Sequence, residues 1–408
     1  MPASTIDHVV ALTVFLAAIL LFISLFNQTI QTAILYQQHR HLATVCSDLL
    51  DNMMLNPGYP LNWGKTNSTP TSFGLQDPEF TQYRLSPFSL MRLNYSSGTP
   101  VYYSKTGQYY SNITIGFGKF LLVPFNEIIN YSTAAELLGI NETYGFSLTV
   151  TPIVTVSISE IESSPLKLEV SVKGTGFPLA NANVSYCLIT VKASGGGPYP
   201  SYTTDYGESL TDGGGSTVLT FPSFDGNSES YVLIVYAHIS GLVGVGYHEH
   251  VRYDGSYVVP LIGDFDSKTV VIAHSWDVHQ GDDPAEISYN ATFLLLSEDF
   301  TLREVPLENS TGKVGKINYG NGQPFNNITI PTYNPGIVII TYRKSAQENG
   351  VVLMPWGISS MAFPVTFGST YPFDKEWVVT DIRQVLVNSI AYQARLSLWS
   401  LKGYGVIG

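Results

Sequence analysis

The feature that most constrains this chain is an uncharged apolar run from Val9 to Phe26. The run does not stop where a bilayer would. Helical patterning continues to about Leu55, and only then does the chain turn to Tyr-, Thr- and Ser-rich sequence of β type. Eighteen residues at about 1.5 Å each give roughly 27 Å, close to the thickness of a hydrocarbon core. A cleaved secretory signal needs a basic n-region and a small-x-small exit. No Lys or Arg precedes Arg40, and the run leaves through Phe26-Asn27-Gln28. The helix is therefore expected to remain as a single membrane pass.

Beyond Asn27, apolar residues recur at Ile30, Ile34, Leu42, Val45, Leu49 and Met53, mostly in steps of three or four. Gln31, Gln38, Arg40 and Asp48 stand between them, and Pro57-Gly58 is the stop. A helix reaching Leu55 would be roughly 75 Å long. Its outer half is too polar for lipid and too striped to stay bare. The stripe is expected to pack on the protein's own head or on helices of other subunits.

Composition narrows the class. Only 13% of residues are charged and the formal charge is −12, so phosphate backbones would be repelled and nucleic acid is excluded as a partner. Cys46 and Cys187 fall in different kinds of segment, one helical and one strand-like, and no disulfide is expected. Asn-x-Ser/Thr triplets occur at Asn27, Asn67, Asn94, Asn112, Asn130, Asn141, Asn183, Asn290, Asn309 and Asn327. Chance would give about four, and all but Asn27 lie beyond the apolar run, which marks them as glycosylation candidates. The positive-inside rule is nearly silent, because no basic residue precedes the run. The triplets and the bulk of the chain orient the protein with its N-terminus inside and its C-terminal domains extracellular.

The expected fold is mainly β: a long N-terminal helix, then a β-rich head, then immunoglobulin-like sandwich domains. Residues 1–55 form the helix and 56–160 a mixed α+β head crossed by Pro57, Pro60, Pro70 and Pro78. Within the head, Thr133-Ala134-Ala135-Glu136 reads as a capping box for a helix ending at Gly139, and Tyr144 to Val150 alternates as a strand. From 161 to 252 the period is two: Leu166, Leu168, Val170 and Val172, then Val184–Val191, a turn at Thr211–Gly215, and a hairpin at Ser240-Gly241. That spacing indicates an antiparallel sandwich. Residues 253–408 read as a second β-rich domain, with an exposed polar loop at Glu304–Tyr333 and β alternation from Trp377 to Trp399.

Three stretches carry a resemblance: Ser4-Thr5-Ile6-Asp7 leading into the helix, Leu55-Asn56-Pro57-Gly58-Tyr59-Pro60-Leu61-Asn62-Trp63-Gly64 after it, and Ala134–Ile140 before Tyr144–Leu148. Together they resemble archaeal type IV pilin-like proteins, in which a long spindle helix carries a β-rich head. The resemblance covers about residues 4–160 and implies a membrane-anchored surface subunit that assembles with copies of itself or with other pilin-like subunits. Only Met1-Pro2-Ala3 precedes the mature-like sequence, without the basic residue such precursors carry before their cleavage point. The second domain, through Val170–Gly174, Pro178–Val184, Thr211-Asp212-Gly213 and Tyr231-Val232-Leu233, resembles transthyretin-like or CnaB-like surface modules.

Chemistry is sparse. In Tyr247-His248-Glu249-His250, two histidines share one strand face about 7 Å apart, which suits zinc if Asp254 or another donor joins them. His274, Asp277 and His279 lie further on. Asp264, Asp266, Asp282 and Asp283 do not match an EF-hand loop. There is no Gly-x-Ser-x-Gly elbow, and the triglycine tracts lack the strand-to-helix context of a phosphate loop. The expectation is a non-enzymatic, cofactor-free, membrane-anchored extracellular surface protein for filament or surface assembly and adhesion. The alternatives are a monomeric tethered binder of glycan or metal, and an anchored hydrolase.

Overall fold

The computed structural model describes residues 3–80, 83–93, 98–114, 119–124, 127–192, 197–227, 229–252, 257–279, 285–296, 301–315, 325–345, 348–369 and 377–401. One unbroken helix, Ala3–Leu55, opens the chain. Its first half stands clear of the rest, with every described residue through Ile34 exposed. From Leu42 onward one face is buried: Leu42, Cys46, Leu49, Leu50, Met53 and Met54 join the main core.

That face lies on a five-stranded head sheet ordered Arg84–Leu85, Val379–Val387, Ile390–Ser400, Tyr144–Pro152 and Val365–Gly368. Val379–Val387 runs with the helix. The Cys46 thiol approaches the Val379 carbonyl at 3.9 Å, and one turn further up Asp51 meets Arg383. Ile390–Ser400 returns antiparallel, and Tyr144–Pro152 rises again beside it, pairing Phe146 with Leu398 and Leu148 with Leu396. Strict alternation puts Phe146, Leu148, Val150, Ala394, Leu396 and Leu398 in the core against the helix. The head is thus closed by strands from both ends of the β sequence.

The sandwich begins directly above, at Val154. Val154–Ser163, Leu166–Gly174 and Ser216–Phe221 form one sheet; Ser201–Leu210, Asn183–Lys192, Ser230–Ile239 and Leu242–His250 form the other. This is a three-on-four immunoglobulin-like sandwich around Leu166, Leu168, Val170, Val184, Leu188, Leu233 and Val235. Ser230–Ile239 is buried on both faces. Leu233 and Val235 fill the sandwich, while Val232, Ile234 and Tyr236 join the main core on the other side. There the Ser230 hydroxyl donates to the Asn349 carbonyl at 3.0 Å and docks the sandwich on its neighbour.

That neighbour is a ten-stranded sheet. It runs from the hairpins at Gly98–Tyr103, Gln108–Thr114 and Lys119–Pro124 through Val258–Asp264 and Thr269–His274 to Gly336–Arg343 and Asn349–Trp356. The sheets therefore cut across the boundaries drawn at 56–160, 161–252 and 253–408. Gly98–Tyr103, Gln108–Thr114 and Lys119–Pro124 leave the head for the ten-stranded sheet, the sandwich starts at Val154, and Val379–Val387 and Ile390–Ser400 rejoin the head. Val154–Ser163 had read as the end of the head because Tyr144–Pro152 runs into it almost without a break.

Local corrections follow the same logic. The short helix is Tyr131–Leu137, capped by Asn130, whose side-chain Oδ1 accepts from the Thr133 N–H at 2.9 Å; Thr133 is not its cap. Its stop at Gly139 holds, with φ +69°. The polar stretch Glu304–Tyr333 is not a loop over its described length. Leu302–Val314 and Phe325–Thr329 are strands inside the large sheet.

Candidate functional site

The apolar helix dominates the surface. Ile6 is 63% exposed and Phe22 69%, whereas Leu42 is 2% exposed. The described helix is long and apolar enough to cross a membrane. The expected stripe, however, divides. Leu42, Leu49 and Met53 are buried in the protein's own head and Val45 packs beside them, but Ile30 and Ile34 are exposed. The reach of the head is the reason: every described residue through Ile34 is exposed, including Gln28, Gln31 and Thr32, which lie about five whole turns before buried Cys46, Leu49 and Leu50. Ile30 and Ile34 belong to the part of the helix that stands clear of the head.

A polar clamp fixes where the helix becomes part of the head. The Arg383 guanidinium donates through Nε to Asp51 Oδ1 at 2.8 Å and through Nη2 to Asp51 Oδ2 at 3.2 Å. It also reaches the Ser47 hydroxyl at 2.9 Å and Asp381 at 2.8 Å. Tyr83 donates to the same Asp51 at 3.1 Å. The Asp51 bond, followed by the Asp381 bond, raises the Arg383 pKa. Burial pushes Asp381 up, but the Ile382 N–H and Arg383 outweigh it and hold the carboxyl below its usual range.

The histidine pair is placed as expected, on one strand face, but its partners differ. His248 and His250 both lie against the Tyr231 ring, at 5.9 and 5.4 Å between centroids. The third group is Glu160 from the facing sheet. Its carboxylate accepts from the Tyr231 hydroxyl at 2.6 Å and from Ser163, and stands 3.8 Å from His250 Nδ1. Burial lowers the His248 pKa against the pull of Glu160. Among the described residues no His, Cys, Asp or Glu cluster could hold a metal ion. Asp254, Asp282 and Asp283 lie outside the described residues. His274 is buried and bonded to the Ala285 carbonyl and the Trp276 N–H. Asp264 accepts from Asn67 and Ser267.

The glycosylation candidates separate by what their amides do. Asn67 both donates to Asp264 at 2.8 Å and accepts from the Phe265 N–H, so its side chain ties two elements together. Asn130, Asn141, Asn309 and Asn327 are exposed. Asn183 and Asn290 are half-buried, the latter donating to the Pro200 carbonyl. Asn94 lies outside the described residues, as does the side chain of Asn112.

Two features carried no sequence signal. Arg92 is fully buried and donates to the backbone carbonyls of Trp63, Thr66, Ser68 and Glu127, holding the crossing after the helix in place. Glu127 beside it is pushed up to about 7 by burial, against the opposing pull of Arg92. An uncharged groove of about 610 Å³ runs along Val154–Ile158, flanked by Tyr247 and Phe363. Both cysteines are free and buried; desolvation pushes the Cys46 thiol to about 11 and Cys187 to about 12, far from a thiolate nucleophile.

A helix able to cross a membrane, followed by immunoglobulin-like β domains, is consistent with a surface protein. No family model matches the chain, and no curated protein matches it. Among solved structures it is similar to a two-domain fibronectin type III segment of chicken tenascin, at 9% identity and a TM-score of 0.16, over 49% of this chain and 96% of that one. It is also similar to Salmonella α2-macroglobulin, at 9% identity and a TM-score of 0.19, over 56% of this chain and 17% of that one. Latent PorU from Porphyromonas gingivalis gives 10% identity and a TM-score of 0.17, over 57% of this chain and 25% of that one. At such scores the immunoglobulin-like assignment rests on the strand order above.

Proposed function

We propose that this protein is a non-enzymatic, membrane-anchored extracellular surface protein that assembles through its N-terminal helix with copies of itself or with pilin-like subunits. The observation that carries the reading is a single helix, Ala3–Leu55, bare and apolar in its first half and clamped into a β head in its second. In lipid the bare half is satisfied internally and gains from burial. Next to the head, Ile30 and Ile34 offer an apolar flank that no described part of the same chain covers. A second helix there buries side chains that otherwise face water.

The test uses native membranes. Ile30→Asp with Ile34→Asp should abolish higher-order assembly seen by electron microscopy while leaving the protein folded and membrane-bound. Unchanged assembly would rule the helix out as the interface. Leu42 and Leu49, buried in the head, report on head stability instead.

A further inference from the structure

The strands of the head run along the line that joins the helix to the outer domains. The helix becomes buried at Leu42, and Val379–Val387 runs in the same direction, with Val379 beside Cys46 and Arg383 beside Asp51. Ile390–Ser400 returns toward the helix entry, and Tyr144–Pro152 runs outward again. At its outer end this last strand leads into Val154, the first residue of the sandwich, and between them the Ile153 N–H still donates to the Ala391 carbonyl at 2.9 Å. A pull on the outer domains, against a helix fixed in a bilayer, therefore draws Tyr144–Pro152 along its own axis.

That strand is gripped on both sides. All nine residues of Tyr144–Pro152 pair with residues 392–400, and residues 147–150 pair as well with Val365–Gly368. Antiparallel hydrogen bonds stand perpendicular to their strands, so under an axial pull they resist together and do not open in turn. A slip of one residue turns Phe146, Leu148 and Val150 out of the core and brings half-buried Ser147 and Thr149 into it. The gripping strand is itself fixed. Ile390–Ser400 pairs with all of Val379–Val387, and its Ala394, Leu396 and Leu398 share a core with Cys46, Leu49 and Leu50 of the helix. Arg383 then ties this sheet to Asp51 of the helix at 2.8 Å.

We propose that the head is a shear clamp: tension on the outer domains passes from Tyr144–Pro152 sideways through Ile390–Ser400 and Val379–Val387 into the helix. Along the chain, the helix and Tyr144–Pro152 are separated by residues 56–143, which include the Pro-rich crossing and the strands Gly98–Tyr103, Gln108–Thr114 and Lys119–Pro124. The clamp bypasses that stretch and spares it the pull. The C-terminal strands are thus a strut between two parts of the chain that lie far apart in sequence. The direction of the pull rests on the membrane reading above; the grip does not, and neither depends on assembly of the helix.

Single full-length molecules in detergent, pulled between pairs of p-azidophenylalanine handles, test the clamp without a membrane or a second copy. Handles at Tyr36, 71% exposed just before the head, and at exposed Thr155, just past Val154, direct the force along the strands. Handles at Tyr36 and Leu401 lie at one end of the head: His39 meets Trp377 at 5.4 Å, and Val379 pairs with Leu398. Pulling between those two peels Ile390–Ser400 away pair by pair. At one loading rate, opening the head from Tyr36 and Thr155 should need a force at least about threefold higher than from Tyr36 and Leu401. Equal forces would overturn the inference. A disulfide between Ser147→Cys and Ser397→Cys, which face one another across the grip, should raise the force along the strands at least about twofold, and reductant should reverse it. An unchanged force in stapled, folded protein would also overturn it. Loss of assembly in the Ile30→Asp, Ile34→Asp protein leaves these forces untouched, so the two readings fail separately.

Discussion

Truncating Leu50 to alanine tests the division of the helix most sharply. Leu50 is 0% exposed and faces the head sheet, whereas Ile34, earlier in the same helix, is 49% exposed. Leu→Ala deletes three buried carbons. Lost transfer energy is about 0.8 kcal/mol per carbon, and the unfilled cavity adds to it, giving about 3 kcal/mol. For a unit of this size that corresponds to a fall of roughly 6–12 °C in the melting temperature of the head. Differential scanning calorimetry of the detergent-solubilised full chain reads it directly. Ile34→Ala removes no buried contact and should shift the same transition by less than about 1 °C. Equal shifts for the two variants, or none for Leu50→Ala, would refute the claim that only the second half belongs to the head.

Further expectations follow from the same geometry. Replacing Asp51 with alanine leaves Arg383 half-satisfied at a partly exposed site and should cost about 1–2 kcal/mol, read as a lower head melting temperature. Glu127 is nearly fully buried and its folded pKa, about 7, lies above the 4.5 of the free acid. The folded state thus holds the proton more tightly, and that stability, present below pH 4.5, drains away as pH rises to about 7. The loss is about 3 kcal/mol, and Glu127→Gln should flatten the melting-temperature profile across that window. Deleting residues 379–408 should leave the head unfolded, because Leu148 and Val150 lose the strand that pairs with them, while the sandwich core stays protected in hydrogen exchange. Glycopeptide mass spectrometry should find glycan at Asn130, Asn141, Asn309 or Asn327 and none at Asn67, whose amide is bonded at both ends.

Much of this fold was legible from residue order. The apolar run, the stop at Pro57-Gly58, the hairpin at Ser240-Gly241 and the alternation of Leu166 to Val172 each encode their structure locally. Ser201–Leu210 was hidden because it is a sandwich edge, exposed on alternate positions and carrying Thr, Asp and Glu where a buried strand carries Val. Leu302–Val314 lies inside the large sheet, yet it too was hidden, because many of its positions are exposed or half-buried and carry Glu, Asn, Thr and Lys. The pairing of Ile390–Ser400 with Tyr144–Pro152 spans more than half the chain, and no local pattern specifies which strand a strand will meet. The split of the helical stripe was not legible, because how far along the helix the head reaches is set by the packing of distant strands. Nor was Glu160 beside His250, because the two come from different sheets.

The central claim is one helix that spans the bilayer with its first half and enters an external head with its second. The buried native cysteines allow single introduced thiols to be probed in intact cells with a membrane-impermeant maleimide. Tyr36→Cys and Thr203→Cys should label from outside, Leu16→Cys should not label, and Thr5→Cys should label only after permeabilisation. Ready labelling of Leu16→Cys, or protection of Thr203→Cys until the cells are opened, would contradict the account.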